Sequence, residues 1–135
     1  MTSTRGMPAS LAVWTYDLAL VDAEVDRAVH DWYRATLADF WPPERVHVET
    51  RYRDTEIPYA PIPAPSFDMR ACWTRSRFVA YLHTWSAVTA YQRATGRDAL
   101  EAVTPGIDSV WNDDRPRDVR WPLKVLAGSR PLPAI

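Results

Sequence analysis

The sequence predicts an α/β domain whose sheet is unfinished. Strand-like apolar runs alternate with amphipathic stretches in the order β–α–long loop–β–α–α–β. The first run, residues 10–17 (SLAVWTYD), is apolar on both faces, the pattern of a strand buried on both sides. Only two further strand-like runs follow, residues 67–73 (FDMRACW) and 118–127 (DVRWPLKVLA), too few to complete an α/β sheet around the first. As a fragment the architecture reads α+β, with three to four helices.

Each element has a local reason. Residues 22–40 (DAEVDRAVHDWYRATLADF) form the first helix, with Asp22 as N-cap and Glu24 near the positive end of the dipole. Val25, Val29, Trp32, Thr36 and Phe40 fall on one stripe. Trp41, Pro42 and Pro43 stop it, because proline disfavours helix in the preceding residue and lacks an N–H. Residues 41–66 are a proline-rich loop in which IPYAPIPAP runs extended or as polyproline II. That loop is either a rigid surface connector or a lid over a pocket.

In residues 67–73, Phe67, Met69, Ala71 and Trp73 alternate with Asp68, Arg70 and Cys72, a half-buried strand. Thr74 caps a single helix that runs to Gly96, where a left-handed residue is expected. Its buried stripe is Phe78, Leu82, Trp85, Val88 and Thr89, widened by Tyr81 and Tyr91. A polar-aromatic knot, Thr84-Trp85-Ser86, sits in its middle, with Thr84 and Ser86 expected to bond back to the helix backbone. Asp98 and Glu101 resemble a capping box. Pro105 and Gly106 force a restart with Thr104 as N-cap. Residues 112–117 are a charged loop. In 118–127, Val119, Trp121, Leu123, Val125 and Ala127 share a face, and Pro122 implies a bulge or an unpaired side. The tail GSRPLPAI reads as coil.

Composition narrows the function. The chain has 135 residues, one domain over 1–135 by length, with 47% apolar and 24% charged residues. A net charge of −1 gives no case for nucleic acid or an anionic membrane. Lys124 is the only lysine among the basic residues. Cys72 is the only cysteine, so no intrachain disulfide forms, a reducing cytoplasm fits, and the thiol is expected to be packed and inert. No apolar h-region or membrane span opens the chain. Seven tryptophans exceed what a minimal core needs, so several are expected at a cleft or interface.

Local catalytic signatures are absent. Gly6, Gly96, Gly106 and Gly128 are too dispersed for a phosphate-binding loop, and His30, His47 and His83 lack metal-ligand spacing. Ser86 has no nucleophile elbow, and Asp113 with Asp114 reads as a solvated turn.

The series VWTY, DWYR, FWPPERVHVE, IPAPSFDM, YLHTWSAVTAYQRATGRD and VRWPLKVLAG resembles the C-terminal half of class I S-adenosylmethionine-dependent methyltransferases. The subgroup it looks most like is the trans-aconitate-methyltransferase-like (methyltransferase type 11) group. The resemblance implies that the three strands correspond to strands 5, 6 and 7 of the family fold. They would form a three-stranded mixed sheet in the order 5-7-6, with strand 7 antiparallel to both neighbours. It implies that residues 18–66 cover the substrate pocket. The family's cofactor-binding elements lie in the half this sequence does not contain. The expected reading is therefore a substrate-side portion without its own cofactor site or activity in isolation. A stand-alone ligand- or protein-binding module derived from that fold is the alternative.

Substrate-pocket candidates are Tyr16 at the exit of the first strand, the cover aromatics Trp32, Tyr33 and Trp41, and the loop arginines Arg51 and Arg53. No catalytic, cofactor-binding or metal-binding residue is assigned. One side of SLAVWTYD is expected to be a bare apolar edge, which implies a homodimer or a complementing N-terminal half.

Overall fold

The computed structural model describes residues 9–43, 45 and 59–130. In chain order these form strand β1 (Ala9–Tyr16), helix α1 (Ala23–Ala35), a 3-10 turn (Ala38–Phe40), β2 (Ala60–Ile62) and β3 (Phe67–Trp73). Helices α2 (Arg75–His83) and α3 (Ser86–Thr95), a 3-10 turn (Ala99–Ala102), α4 (Thr104–Val110) and β4 (Arg117–Arg130) follow. The described residues divide into two compact units, one holding residues 9–18, 59–69 and 122–130, the other 19–43, 45 and 70–121.

The first unit is built on β4, the last strand in sequence. It pairs antiparallel with β1 from Tyr16↔Leu123 to Ala9↔Arg130. β2 pairs antiparallel with it from Ala60↔Ser129 to Ile62↔Ala127, and β3 pairs with it as well. The expected order, with the last strand between the first and the second, is present. Two features differ from expectation. The sheet has four strands rather than three, because part of the proline-rich stretch pairs as β2. Pro61 is tolerated there because β2 is an outer strand, where a missing donor is least costly. The expected coil at Gly128–Arg130 is strand, held by β1 on one side and β2 on the other. Regular pairing with β1 stops at Leu123, beside Pro122, whose carbonyl still accepts from the Asp17 N–H at 3.1 Å.

β1 is not buried on both sides. Ser10, Ala12, Val13, Trp14 and Tyr16 are all exposed, with Trp14 at 66%. The cause is its position, since it ends the strand order and has a described neighbour on one edge only. Phe67 and Met69 on β3 are likewise exposed rather than half-buried.

The second unit contains the helices and the core. Asp22 caps α1 as expected, its Oδ1 accepting from Val25 N at 3.0 Å, while Oδ2 accepts from Arg117 Nη1 at 2.6 Å. Val25, Val29, Trp32 and Tyr33 are the buried residues of α1, and Leu37 continues them. Thr36 and Phe40 are only half-buried, because α1 ends at Ala35 and the next turn is 3-10.

The expected long helix after Thr74 is two helices. Thr74 caps α2, its Oγ1 accepting from Arg77 N at 3.3 Å. Thr84 then ends it. Its hydroxyl donates to the Tyr81 carbonyl at 2.6 Å, and its N–H bonds the same carbonyl at 3.0 Å. Trp85 is extended (φ −67°, ψ 136°) and its carbonyl accepts from Val88 N at 3.1 Å, opening α3. The knot at residues 84–86 is therefore a helix break. Gly96 ends α3 in the left-handed region at φ 74°. Asp98 Oδ1 accepts from Leu100 N at 3.0 Å and opens the second 3-10 turn. Thr104 is not an N-cap. It is the first residue of α4, and its hydroxyl donates back to the Leu100 carbonyl at 2.8 Å.

Candidate functional site: an aromatic cluster with one arginine

The break at Thr84–Trp85 places Trp85 at the centre of a connected set of rings. It stacks on Trp32 at 5.7 Å and 21°, and meets Tyr33 edge-on at 6.2 Å. It also contacts Trp41 at 5.5 Å and Tyr81 at 5.9 Å. Tyr81 continues the set to Trp73 and Trp121, at 5.5 and 5.6 Å, and through Phe78 to Trp111. Centroid separations of this size are those at which aromatic pairs attract beyond their area burial. Six of the seven tryptophans belong to this set; Trp14 is the exception.

Polar handles inside the cluster are mostly engaged. Trp32 Nε1 donates to the Ala99 carbonyl at 2.9 Å, Trp121 Nε1 to Tyr81 Oη at 3.1 Å, and Trp111 Nε1 to the Arg115 carbonyl at 3.1 Å. Trp41 Nε1 is different, a buried donor with no hydrogen-bond partner among the described residues. Beside it, the Arg45 guanidinium lies 4.6 Å from the Trp41 ring and 5.9 Å from the Tyr33 ring. Arg45 Nε donates to Tyr33 Oη at 3.2 Å. A guanidinium held over aromatic faces keeps its donor fork, which suits recognition of an acceptor or anion rather than proton transfer.

Of the residues nominated from sequence, Trp32, Tyr33 and Trp41 come together in this cluster. Trp32 is a core residue whose donor is already used. Tyr16 belongs to the other unit and is exposed at the end of β1. Arg51 and Arg53 lie outside the described residues. Arg45 was not nominated. The signal available for it was its spacing, four residues after Trp41, in WPPER.

Other chemistry-bearing groups are few. Cys72 is exposed, not packed, because it lies on the outward face of β3. Asp26 has its pKa raised above the ordinary carboxylate value. Burial drives the rise and the neighbouring Asp22 adds to it, against the Val21 N–H bond and the charges of His30 and Arg120. His30 Nε2, one turn along α1, is buried without a hydrogen-bond partner among the described residues. Among the described residues no group of three or more His, Cys, Asp and Glu is placed to hold a metal ion. No described helix is long and apolar enough to cross a membrane.

The described glycines do not fit a nucleotide-binding loop. Gly96 ends α3, Gly106 lies in α4, and Gly128 is paired within β4. No described residue is therefore assigned to S-adenosylmethionine.

The fold is a mixed α/β arrangement in which a long final strand organises an antiparallel sheet. The same arrangement occurs in a solved structure from Anaeromyxobacter dehalogenans described as a "Putative Type II Methyltransferase". The likeness has a TM-score of 0.85 at 44% identity, covering 93% of this chain and 54% of that one. The chain thus spans about half the length of that protein. No protein-family model and no curated protein matches the sequence.

Proposed function

We propose that this chain is the C-terminal, substrate-side portion of an S-adenosylmethionine-dependent methyltransferase and takes its cofactor from a half that this sequence does not contain. One observation carries the reading, the 44% identity across nearly the whole chain to about half of the Anaeromyxobacter protein. Identity at that level over 93% of the chain supports common descent rather than a shared architecture alone.

In this reading the substrate side uses the Trp41–Arg45 shelf. Arg45 presents a cation over an aromatic face, and Trp41 Nε1 supplies a donor that no described residue uses. Both suit a small substrate bearing an anionic or acceptor group, as in the trans-aconitate-methyltransferase-like subgroup.

The test joins this chain to the unmatched segment of the Anaeromyxobacter protein. S-adenosylmethionine binding by calorimetry and methyl transfer to a panel of small carboxylic acids are then measured for the joined protein and for the chain alone. Cofactor binding by the joined protein and none by the isolated chain is expected. Methyl transfer by the isolated chain, or no cofactor binding by a folded joined protein, would sink the proposal.

A further inference from the structure

Arg45 and Arg117 both lie over rings of the aromatic cluster, with different consequences. Arg117 is 5.1 Å from the Trp111 ring, and its fork is occupied: Nη1 donates to Asp22 Oδ2 and Nη2 to the Val110 carbonyl. Arg45 lies over Trp41 and Tyr33, and its Nε donates to Tyr33 Oη at 3.2 Å. Among the described residues its Nη1 and Nη2 have no acceptor, and no carboxylate pairs with the guanidinium. A local turn brings it there. Arg45 N donates to the Pro42 carbonyl at 2.9 Å, and Pro42 and Pro43 restrict the backbone between ring and cation.

A guanidinium engaged at Nε presents the remaining Nη pair as two parallel N–H donors, which match the two oxygens of a carboxylate. The surroundings limit the charge that this fork can take. Tyr33, Trp41 and Trp85 meet one another here, and Arg45 is the one described cation over Trp41 or Tyr33. One positive charge among rings balances one negative charge. A phosphate dianion or a polycarboxylate would bring excess charge against an apolar wall. Phe40, next to Trp41 in the chain, pairs edge-on with Tyr91 at 5.1 Å, and both are half-buried, so partly accessible aromatic surface adjoins the turn. We infer that the Trp41–Arg45 shelf binds a monocarboxylate carried on an apolar or aromatic body, held end-on by Arg45 Nη1 and Nη2. Tyr33 is the positioning residue, since its hydroxyl fixes Nε and thereby turns the fork toward the ligand. Calling that ligand the substrate rests on the proposed function; the existence of the site rests on these residues alone.

The probes are phenylacetate, its neutral counterpart phenylacetamide, citrate and inorganic phosphate. Each is titrated into the chain and into the joined protein described above. Binding is followed on the indole N–H resonances in proton–nitrogen correlation spectra, with that of Trp41 identified through Trp41→Phe. Phenylacetate is expected to bind at least about tenfold more tightly than phenylacetamide, as a charge-assisted pair requires, and more tightly than citrate or phosphate. Arg45→Gln is expected to erase the preference for acid over amide. Tyr33→Phe keeps the ring and removes the acceptor of Arg45 Nε. It is expected to lower the acid-to-amide ratio about threefold to tenfold with the amide affinity unchanged, whereas a purely structural role would weaken both ligands together. Arg45→Lys, at a half-buried position, keeps the charge without the fork and is expected to lower the ratio too, which decides the matter should Tyr33→Phe fail to fold. Equal binding of acid and amide, tighter binding of citrate or phosphate, a ratio untouched by Arg45→Gln, or an unmoved Trp41 resonance in both proteins would overturn the site. Any of these together with cofactor binding by the joined protein leaves the proposed function standing. Acid-selective binding without cofactor binding removes the proposed function and leaves the site.

Discussion

Trp85 stacks on Trp32 at 5.7 Å and 21° although 53 residues separate them, and the helix break at Thr84 is what lets it do so. A continuous helix through residues 75–95 would keep Trp85 in helical register. The extended backbone at Trp85 redirects its ring into Trp32, Tyr33 and Trp41 together.

Trp85→Ala should therefore be among the most damaging single substitutions. The side chain is 8% exposed and touches four other rings. A loss of about 3–5 kcal/mol is expected from cavity formation and lost burial. Urea unfolding followed by far-UV circular dichroism measures it, and a loss under about 1 kcal/mol would contradict the central place given to this ring.

The Trp121–Tyr81 hydrogen bond gives a more local prediction. Tyr81→Phe removes the acceptor of Trp121 Nε1 and strands that donor in a buried indole. The expected cost is about 1–2 kcal/mol. Adding Trp121→Phe should cost less than the sum of the two single changes, because no donor is then left unpaired. A double-mutant cycle by chemical denaturation reads the coupling.

Asp26 predicts an unusual pH dependence. Burial raises its pKa in the folded state above the unfolded value, so the native chain binds this proton more tightly. Its contribution to stability is complete below the unfolded pKa and falls as pH rises through the folded one. Asp26→Asn, which keeps an oxygen for the Val21 N–H, should stabilise the protein at pH 7 and flatten stability between the acidic range and neutrality. Thermal melts of both proteins across that range test it; a loss of stability at pH 7 is the contrary result.

Gly96 separates backbone strain from crowding. Its φ of 74° lies in the left-handed region, and a Cβ built there would meet nothing within 4 Å. Gly96→Ala should cost about 1 kcal/mol, all of it conformational. Gly96→Asn should cost less, since asparagine tolerates that region better. Comparing the denaturation midpoints of the two variants decides this.

Much of the fold is legible in the sequence. Asp22, Thr74 and Gly96 mark helix ends through bonds and dihedrals that reach only a few residues along the chain, and all three act as expected. Thr84 carried a local signal too, a hydroxyl able to bond back to Tyr81, but the same bond is compatible with a bent helix and with a break. The choice between them was made by Trp32, Tyr33 and Trp41, which lie far away in sequence. The site was less legible. Trp32, Tyr33 and Trp41 were named because the family resemblance places residues 18–66 over a pocket, and the structure brings their rings together, while Arg45 carried no signal beyond its spacing from Trp41.

The sequence by itself determined the caps at Asp22 and Thr74, the left-handed helix end at Gly96 and the buried stripe Val25, Val29 and Trp32 of α1. These depend on neighbours within one or two turns. The tertiary structure decided that one helix is two, that six indoles form one connected cluster, and that Arg45 rests on Trp41. It also decided that β1, apolar enough to be central, stands at an edge. Burial is a property of what lies across space from a residue, and apolarity along a strand records only that something is meant to cover it.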